Sequence, residues 1–231
     1  TCALTPSDNI VAVKYGGTPP STAYAVTLND NTTLNWLAVD GTQAAGNVKV
    51  AQHTITVPNI DAVDIFGGVM QNGMEIEAGE VKAMWQAGHL VWGKTVKCAT
   101  GACERIFDID TNANTATSND FSLAGTQLWF GVPGLDKWGN TWVLMAEATT
   151  SGNVGLALAG VYAKGTIYDP KVIVMGQSAL SGDRFGDYFS AAQDPNDGSS
   201  WLIGQYAAMT GNPLNTEGGS AGCKVVHVTV N

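Results

Sequence analysis

Charge is scarce in this chain, and positive charge scarcer still. Only 13% of its 231 residues are Asp, Glu, Lys or Arg, against a usual share of roughly 25%. A surface so poor in charge presents Thr, Ser, Asn, Gln and Gly to water. That suits β-sheet and does not suit helices, whose outer faces need Glu and Lys. Eleven basic residues against twenty acidic ones leave a net charge of −9. This excludes nucleic acid and anionic membrane as partners, since both require a positive patch. No run of 18 apolar residues occurs, so membrane insertion through a spanning helix is not expected. No stretch sustains a 3.6-residue apolar period with caps at its ends.

Cysteine is sparse but even in number, with four residues. Cys98 and Cys103 bracket Ala99-Thr100-Gly101-Ala102, a short hairpin end that a disulfide can span. Elimination then pairs Cys2 with Cys223. The rival reading, one zinc site made by all four, lacks the paired C-x₂-C knuckles such sites use. Two disulfides imply an oxidising compartment. The chain opens on Thr1-Cys2 without Met or leader, as a secretory protein does after signal-peptide removal. The expectation is a secreted protein, extracellular or at a cell surface.

Glycine is abundant, with 28 residues, many between short apolar runs, which implies tight turns. Fourteen segments read as strands: 9–15, 23–28, 34–40, 48–57, 81–86, 89–98, 103–110, 127–132, 141–149, 154–163, 171–176, 188–193, 201–207 and 224–230. Turn pairs such as Asp40-Gly41, Asn72-Gly73, Pro133-Gly134 and Asp197-Gly198 separate them. No linker or change of composition divides residues 1–231, so one domain is expected. Fourteen strands exceed an immunoglobulin sandwich. They fit a β-propeller, or else a double-sheet sandwich or jelly roll. A turn feeding a Trp-bearing strand recurs, at Gly139-Asn140-Thr141-Trp142 and Asp197-Gly198-Ser199-Ser200-Trp201. Blades take about 40–50 residues, which gives about four to five here.

One segment carries a family resemblance: Asp183-Arg184-Phe185-Gly186-Asp187-Tyr188-Phe189-Ser190, then Asp194-Pro195-Asn196-Asp197-Gly198 and Trp201-Leu202-Ile203-Gly204-Gln205-Tyr206. It resembles the R-W-G-D-Y-S…D-P…W…Y segment of secreted bacterial proteins with sialidase-like or BNR-like β-propellers, over roughly residues 125–210. The resemblance implies a propeller fold and secretion, and no particular activity. Phe185 stands where that pattern has Trp. Read from the residues alone, Arg184 and Asp187 are expected to make a bidentate tie between blade loops and the Tyr188 hydroxyl to satisfy a buried backbone group, the alternative being contact with a ligand.

The sequence excludes more chemistry than it supplies. The usual sialidase grips its substrate carboxylate with three arginines, and this chain has only Arg105 and Arg184. Asp61, Asp64, Glu75, Glu77 and Glu80 are raw material for a two-carboxylate glycosidase, but clustered surface carboxylates are ordinary. His53, His89 and His227 form no pair in sequence and read as strand-face residues. Gly218-Gly219-Ser220-Ala221-Gly222 matches a nucleophile pattern without the strand and helix that give it meaning. Asp108, Asp110, Asn112 and Asn114 place oxygens at alternate positions, as Ca²⁺ loops do. Ala113 and Asn119 rule out an EF-hand there, which leaves a looser Ca²⁺ loop or a plain polar one. Of seven tryptophans, Trp138, in a turn between Lys137 and Gly139, is the one expected to be exposed and to stack on a ligand.

These readings lead to a secreted, non-catalytic propeller that binds a glycan or an extracellular protein. The alternatives are a carbohydrate-active hydrolase with a two-carboxylate site, and a self-associating subunit of an extracellular filament or capsid.

Overall fold

A computed structural model of the chain describes residues 11–42, 44–61, 82–99, 101–149, 152–178, 185, 189–208 and 221–230. These residues form fifteen strands and no helix. The first meander is β1 (Val11–Tyr15), β2 (Ala23–Asp30), β3 (Thr33–Asp40) and β4 (Lys49–Thr56). The second is β5 (Ala83–Gln86), β6 (His89–Cys98), β7 (Gly101–Asp110) and β8 (Thr115–Phe121). The third is β9 (Thr126–Leu135), β10 (Thr141–Thr149), β11 (Gly155–Val161) and β12 (Ile167–Val174). The fourth has three described strands, β13 (Ser190–Gln193), β14 (Ser200–Ala207) and β15 (Ala221–Val228).

Each meander is antiparallel, with neighbours in chain order paired. The first strand of each lies innermost. β1 pairs with β5 in parallel, Val13 opposite Ala83. β5 lies beside β9, β9 beside β13, and β13 beside β1. The innermost strands therefore close into a ring, and the meanders are blades of a β-propeller. The four described blades agree with the lower end of the expected range. All four innermost strands finish at one end, the upper face, where their terminal residues meet. Gln193 Nε2 donates to Gln86 Oε1 (2.6 Å) and to the Leu135 carbonyl (3.3 Å), and Gln86 Nε2 donates to the Asp136 carbonyl (2.9 Å).

Strand alternation sends apolar side chains into the gaps between blades. Leu34, Trp36, Leu90, Trp92 and Phe107 fill the gap between blades 1 and 2. Met84, Ile106, Phe121, Leu128 and Val143 fill that between 2 and 3. Trp129, Trp142, Leu156, Phe189 and Leu202 fill that between 3 and 4. Each fully buried large side chain contributes roughly 1.5–3 kcal/mol. Among the described residues no comparable apolar cluster spans blades 4 and 1. Lys14 Nζ ties them, donating to Ser190 Oγ at 2.5 Å and to the Ala191 carbonyl at 3.5 Å.

β8 was not among the expected strands. Its Thr-Ala-Thr-Ser-Asn-Asp-Phe sequence reads as loop, yet it pairs along β7 from Asp110↔Thr115 to Glu104↔Phe121. As the outermost strand of its blade it buries one large residue, Phe121. β12 also starts earlier than expected, at Ile167. The Cys98–Cys103 disulfide is present, with Cα atoms 5.9 Å apart across the β6–β7 hairpin. Cys223 is exposed on β15, and Cys2, its expected partner, lies outside the described residues.

Candidate binding rim

Two turns on the upper face share one construction. After β9, Asp136 turns the chain. Its Oδ1 accepts the N–H groups of Trp138 (3.0 Å) and Asn140 (2.9 Å). Its Oδ2 accepts from Asn140 Nδ2 (2.7 Å) and from the Trp142 indole (3.1 Å). After β13, Asp194 repeats the device. Its Oδ1 accepts the Asn196 N–H (2.8 Å) and its Oδ2 the Trp201 indole (2.8 Å). Trp142 and Trp201 are both the second residue of the following strand. Gly139 and Gly198 take positive φ values, 81° and 75°, which a side chain resists. The repetition visible in the sequence is thus an Asp-to-indole clamp across each turn.

The two turns touch, the Lys137 N–H donating to the Gly198 carbonyl at 2.8 Å. They carry two exposed indoles, Trp138 at 46% and Trp201 at 39% relative exposure. Trp36, Trp92, Trp129 and Trp142 are all buried. Lys137 Nζ sits 4.7 Å from the Trp138 ring centre. Trp201 stacks on His227 of β15, centroids 4.0 Å apart and planes 5° from parallel. Ser199 Oγ donates to Asp197 Oδ1 (2.5 Å) and lies 2.5 Å from His227 Nε2. The Trp201 indole, with the Asn196 N–H, holds the Asp194 carboxyl below the usual range. The Ser199 hydroxyl and N–H do the same for Asp197. Both side chains are therefore anionic acceptors at neutral pH.

Ser199, His227 and Asp197 do not make a catalytic triad. Ser199 is fully buried, and the carboxylate engages the serine instead of the far ring nitrogen of the histidine. Asp194, Asp197 and His227 offer ligand atoms within 4.8 Å of one another, a set that could hold a divalent cation.

The other anticipated residues scatter. Asp108 Oδ1 pairs with His89 Nδ1 at 2.9 Å. Asp110 Oδ1 accepts the N–H groups of Asn112 and Ala113, both at 2.9 Å. Asn114 Oδ1 accepts from the Trp36 indole of blade 1 at 2.9 Å. Much of the oxygen set read as a Ca²⁺ loop thus serves the β7–β8 turn and a tie between blades. Asp61 accepts from Asn59 Nδ2. Asp64, Glu75, Glu77, Glu80, Arg184, Asp187, Tyr188 and Ser220 lie outside the described residues.

Among the described residues, the innermost strands bring no carboxylate to the propeller axis, and Gln86 and Gln193 occupy the upper mouth. One buried carboxyl was not anticipated. Glu104 of β7 is 1% exposed, in the gap between blades 2 and 3. It accepts from Thr95 Oγ1 at 3.1 Å and from the Gly131 N–H. A Cβ at Gly131 would fall 2.4 Å from its carboxyl carbon, so only glycine leaves it room. The neighbouring Phe130 has φ 54°, within an irregularity of β9 opposite β10. Burial pushes Glu104 up to about 8. It is sealed from solvent and cannot meet a substrate. Its phase with Ile106 along β7 was the available signal.

No family model and no curated protein matches the sequence. Solved structures do. The chain is similar to the phage phi92 endosialidase, at 9% identity and a TM-score of 0.57, over 94% of this chain and 35% of that one. It also aligns with a Bombyx mori GH32 beta-fructofuranosidase in complex with sucrose (7%, TM-score 0.43, 94% of this chain and 46% of that one). A thermostable family-43 glycoside hydrolase aligns too (8%, TM-score 0.40, 96% and 91%). The chain thus spans about a third of the endosialidase's length. At these identities the likeness bears on fold alone: the chain has the all-β propeller fold of the endosialidase.

Proposed function

We propose that this chain is a non-catalytic propeller that binds a glycan on its upper rim, outside the cell. The observation that carries the reading is the pairing of Trp138 with the Trp201–His227 stack on two touching turns. Aromatic faces left in water at the rim, while four other indoles are buried, are stacking platforms for the apolar faces of sugar rings. Asp194 and Asp197 stand beside them as ionised acceptors for hydroxyl groups. Among the described residues the innermost strands offer no carboxylate for a two-carboxylate site, and two arginines are too few for the usual three-arginine sialidase grip. The Cys98–Cys103 disulfide fits an oxidising compartment, and among the described residues no helix is long and apolar enough to cross a membrane.

Likeness in fold to an endosialidase favours sugar as the ligand class over protein. The test is a screen of the purified chain against a broad glycan library, with mass spectrometry reading both retained and cleaved species. Retention without cleavage is expected. Cleavage would favour the two-carboxylate hydrolase, and silence in both channels would favour a protein partner.

A further inference from the structure

Each exposed indole of the upper rim has one face occupied. Lys137 Nζ lies 4.7 Å from the Trp138 ring centre, and the His227 ring lies parallel to Trp201 at 4.0 Å. Both indoles still keep much of their surface in water, so the opposite face and the edges are open to a ligand. The face of an indole is negative and attracts a cation more strongly than any other aromatic side chain does. Over Trp138 the group that has taken up that position is an ammonium.

Two carboxylates stand beside these rings. Oxygens of Asp194 and Asp197 and a ring nitrogen of His227 lie within 4.8 Å of one another. Asp194 is anchored to the Trp201 indole N–H at 2.8 Å. Asp197 Oδ1 accepts from the Ser199 hydroxyl at 2.5 Å and from its N–H at 2.8 Å, while among the described residues Oδ2 accepts no hydrogen bond. The two acids repel, yet the Trp201 and Asn196 donors hold Asp194, and the Ser199 donors hold Asp197, below the usual range. Both are therefore charged at neutral pH. Lys137, the lysine of the adjoining turn, forms no ion pair with either among the described residues. A net charge of −9 surrounds the pair.

We propose that the rim selects glycans bearing free amino groups, with a sugar ring stacked on an indole and its ammonium set on the Asp194–Asp197 pair. This rests on the glycan-binding reading and names the sugar class for the same rim. An ammonium brings three donors, and each makes a charge-assisted hydrogen bond to an ionised carboxylate. Its charge is attracted by the indole faces as well. A neutral sugar offers the same oxygens hydroxyl donors alone. An acidic sugar meets two like charges at close range and is repelled.

The test is calorimetric titration of the full chain with a β-1,4-linked glucosamine hexamer and with its fully N-acetylated counterpart, at about pH 6, where the amines are charged. The glucosamine hexamer should bind about fivefold more tightly. Asp194→Asn/Asp197→Asn keeps the accepting oxygens and removes the charge, and should bring that ratio to about one. Equal binding of the two hexamers by the parent, or a preference that survives in the double variant, would overturn the proposal and leave the rim reading standing. Binding of neither hexamer would also overturn it, and the library screen then decides the rim reading by itself. Should the variant fail to fold, salt decides. The preference of the parent should shrink as sodium chloride rises from about 20 to about 300 mM, and a preference indifferent to salt would overturn the proposal.

Discussion

The turns of blades 3 and 4 are the same device in two environments. Each sets an Asp carboxylate on the indole N–H of the second residue of the following strand. In blade 3, Asp136 is fully buried and Trp142 packs in the core shared with blade 4. Gly160 lies against it so closely that a Cβ there would fall 2.8 Å from the ring. In blade 4 the corresponding Trp201 is exposed and gains a stacked histidine. One clamp is a folding element. The other holds an aromatic surface in water at a fixed angle, which is what a binding platform requires. The difference lies in what covers the clamp.

The largest effect is expected at the buried copy. Asp136→Ala strands two backbone N–H groups, an amide and an indole in the interior. It should cost at least about 3 kcal/mol, lowering the melting temperature by roughly 6–12 °C as read by circular dichroism. A small loss would break the contrast, because it would mean that burial adds nothing to the clamp.

Next comes Glu104, the buried acid in the gap between blades 2 and 3. Its folded pKa of about 8 stands above the ordinary 4.5. The folded state therefore holds a proton that the unfolded state has released between those values, and stability falls as pH rises from 4.5 through 8. Urea unfolding should give a lower midpoint at pH 8.5 than at pH 5. Glu104→Gln, uncharged throughout, should flatten this dependence and be the more stable of the two at the higher pH. Equal slopes for both proteins would remove the buried acid from the account.

At the exposed copy, Trp201→Ala and Trp138→Ala should each weaken retention of a bound glycan about tenfold, the equivalent of about 1.4 kcal/mol, while melting within a few degrees of the parent. Asp194→Ala is the mildest. It should loosen the Trp201–His227 stack and reduce retention less than Trp201→Ala, with a melting shift that is a small fraction of the Asp136→Ala shift.

Much of this fold is written in the sequence, because a blade is a local object. Alternation in Val48-Lys49-Val50-Ala51-Gln52 and Thr54-Ile55-Thr56-Val57, with turns at Trp138-Gly139-Asn140 and Asp197-Gly198, marks strands and breaks without reference to distant residues. β8 escaped because an outermost strand buries little, and Thr115–Phe121 has the composition of a loop. The Trp-bearing repeat was legible, but the cause of the repeat was not. Nothing in the order of residues says that Asp136 reaches back to the Trp142 indole, or that its copy at Asp194 is left in water. Trp138 was legible as exposed because it sits in a turn. Trp201, inside a strand, has the pattern of a core residue, and its exposure depends on the end of the propeller at which it falls.

The most direct test of the binding rim is a calorimetric titration of a library-selected oligosaccharide into the unmodified chain and into the Trp138→Ala/Trp201→Ala double variant. Product analysis of the same samples completes it. The account predicts binding by the parent, none by the folded double variant, and an intact oligosaccharide in every sample. Equal affinity for both proteins, or a shortened oligosaccharide, would contradict it.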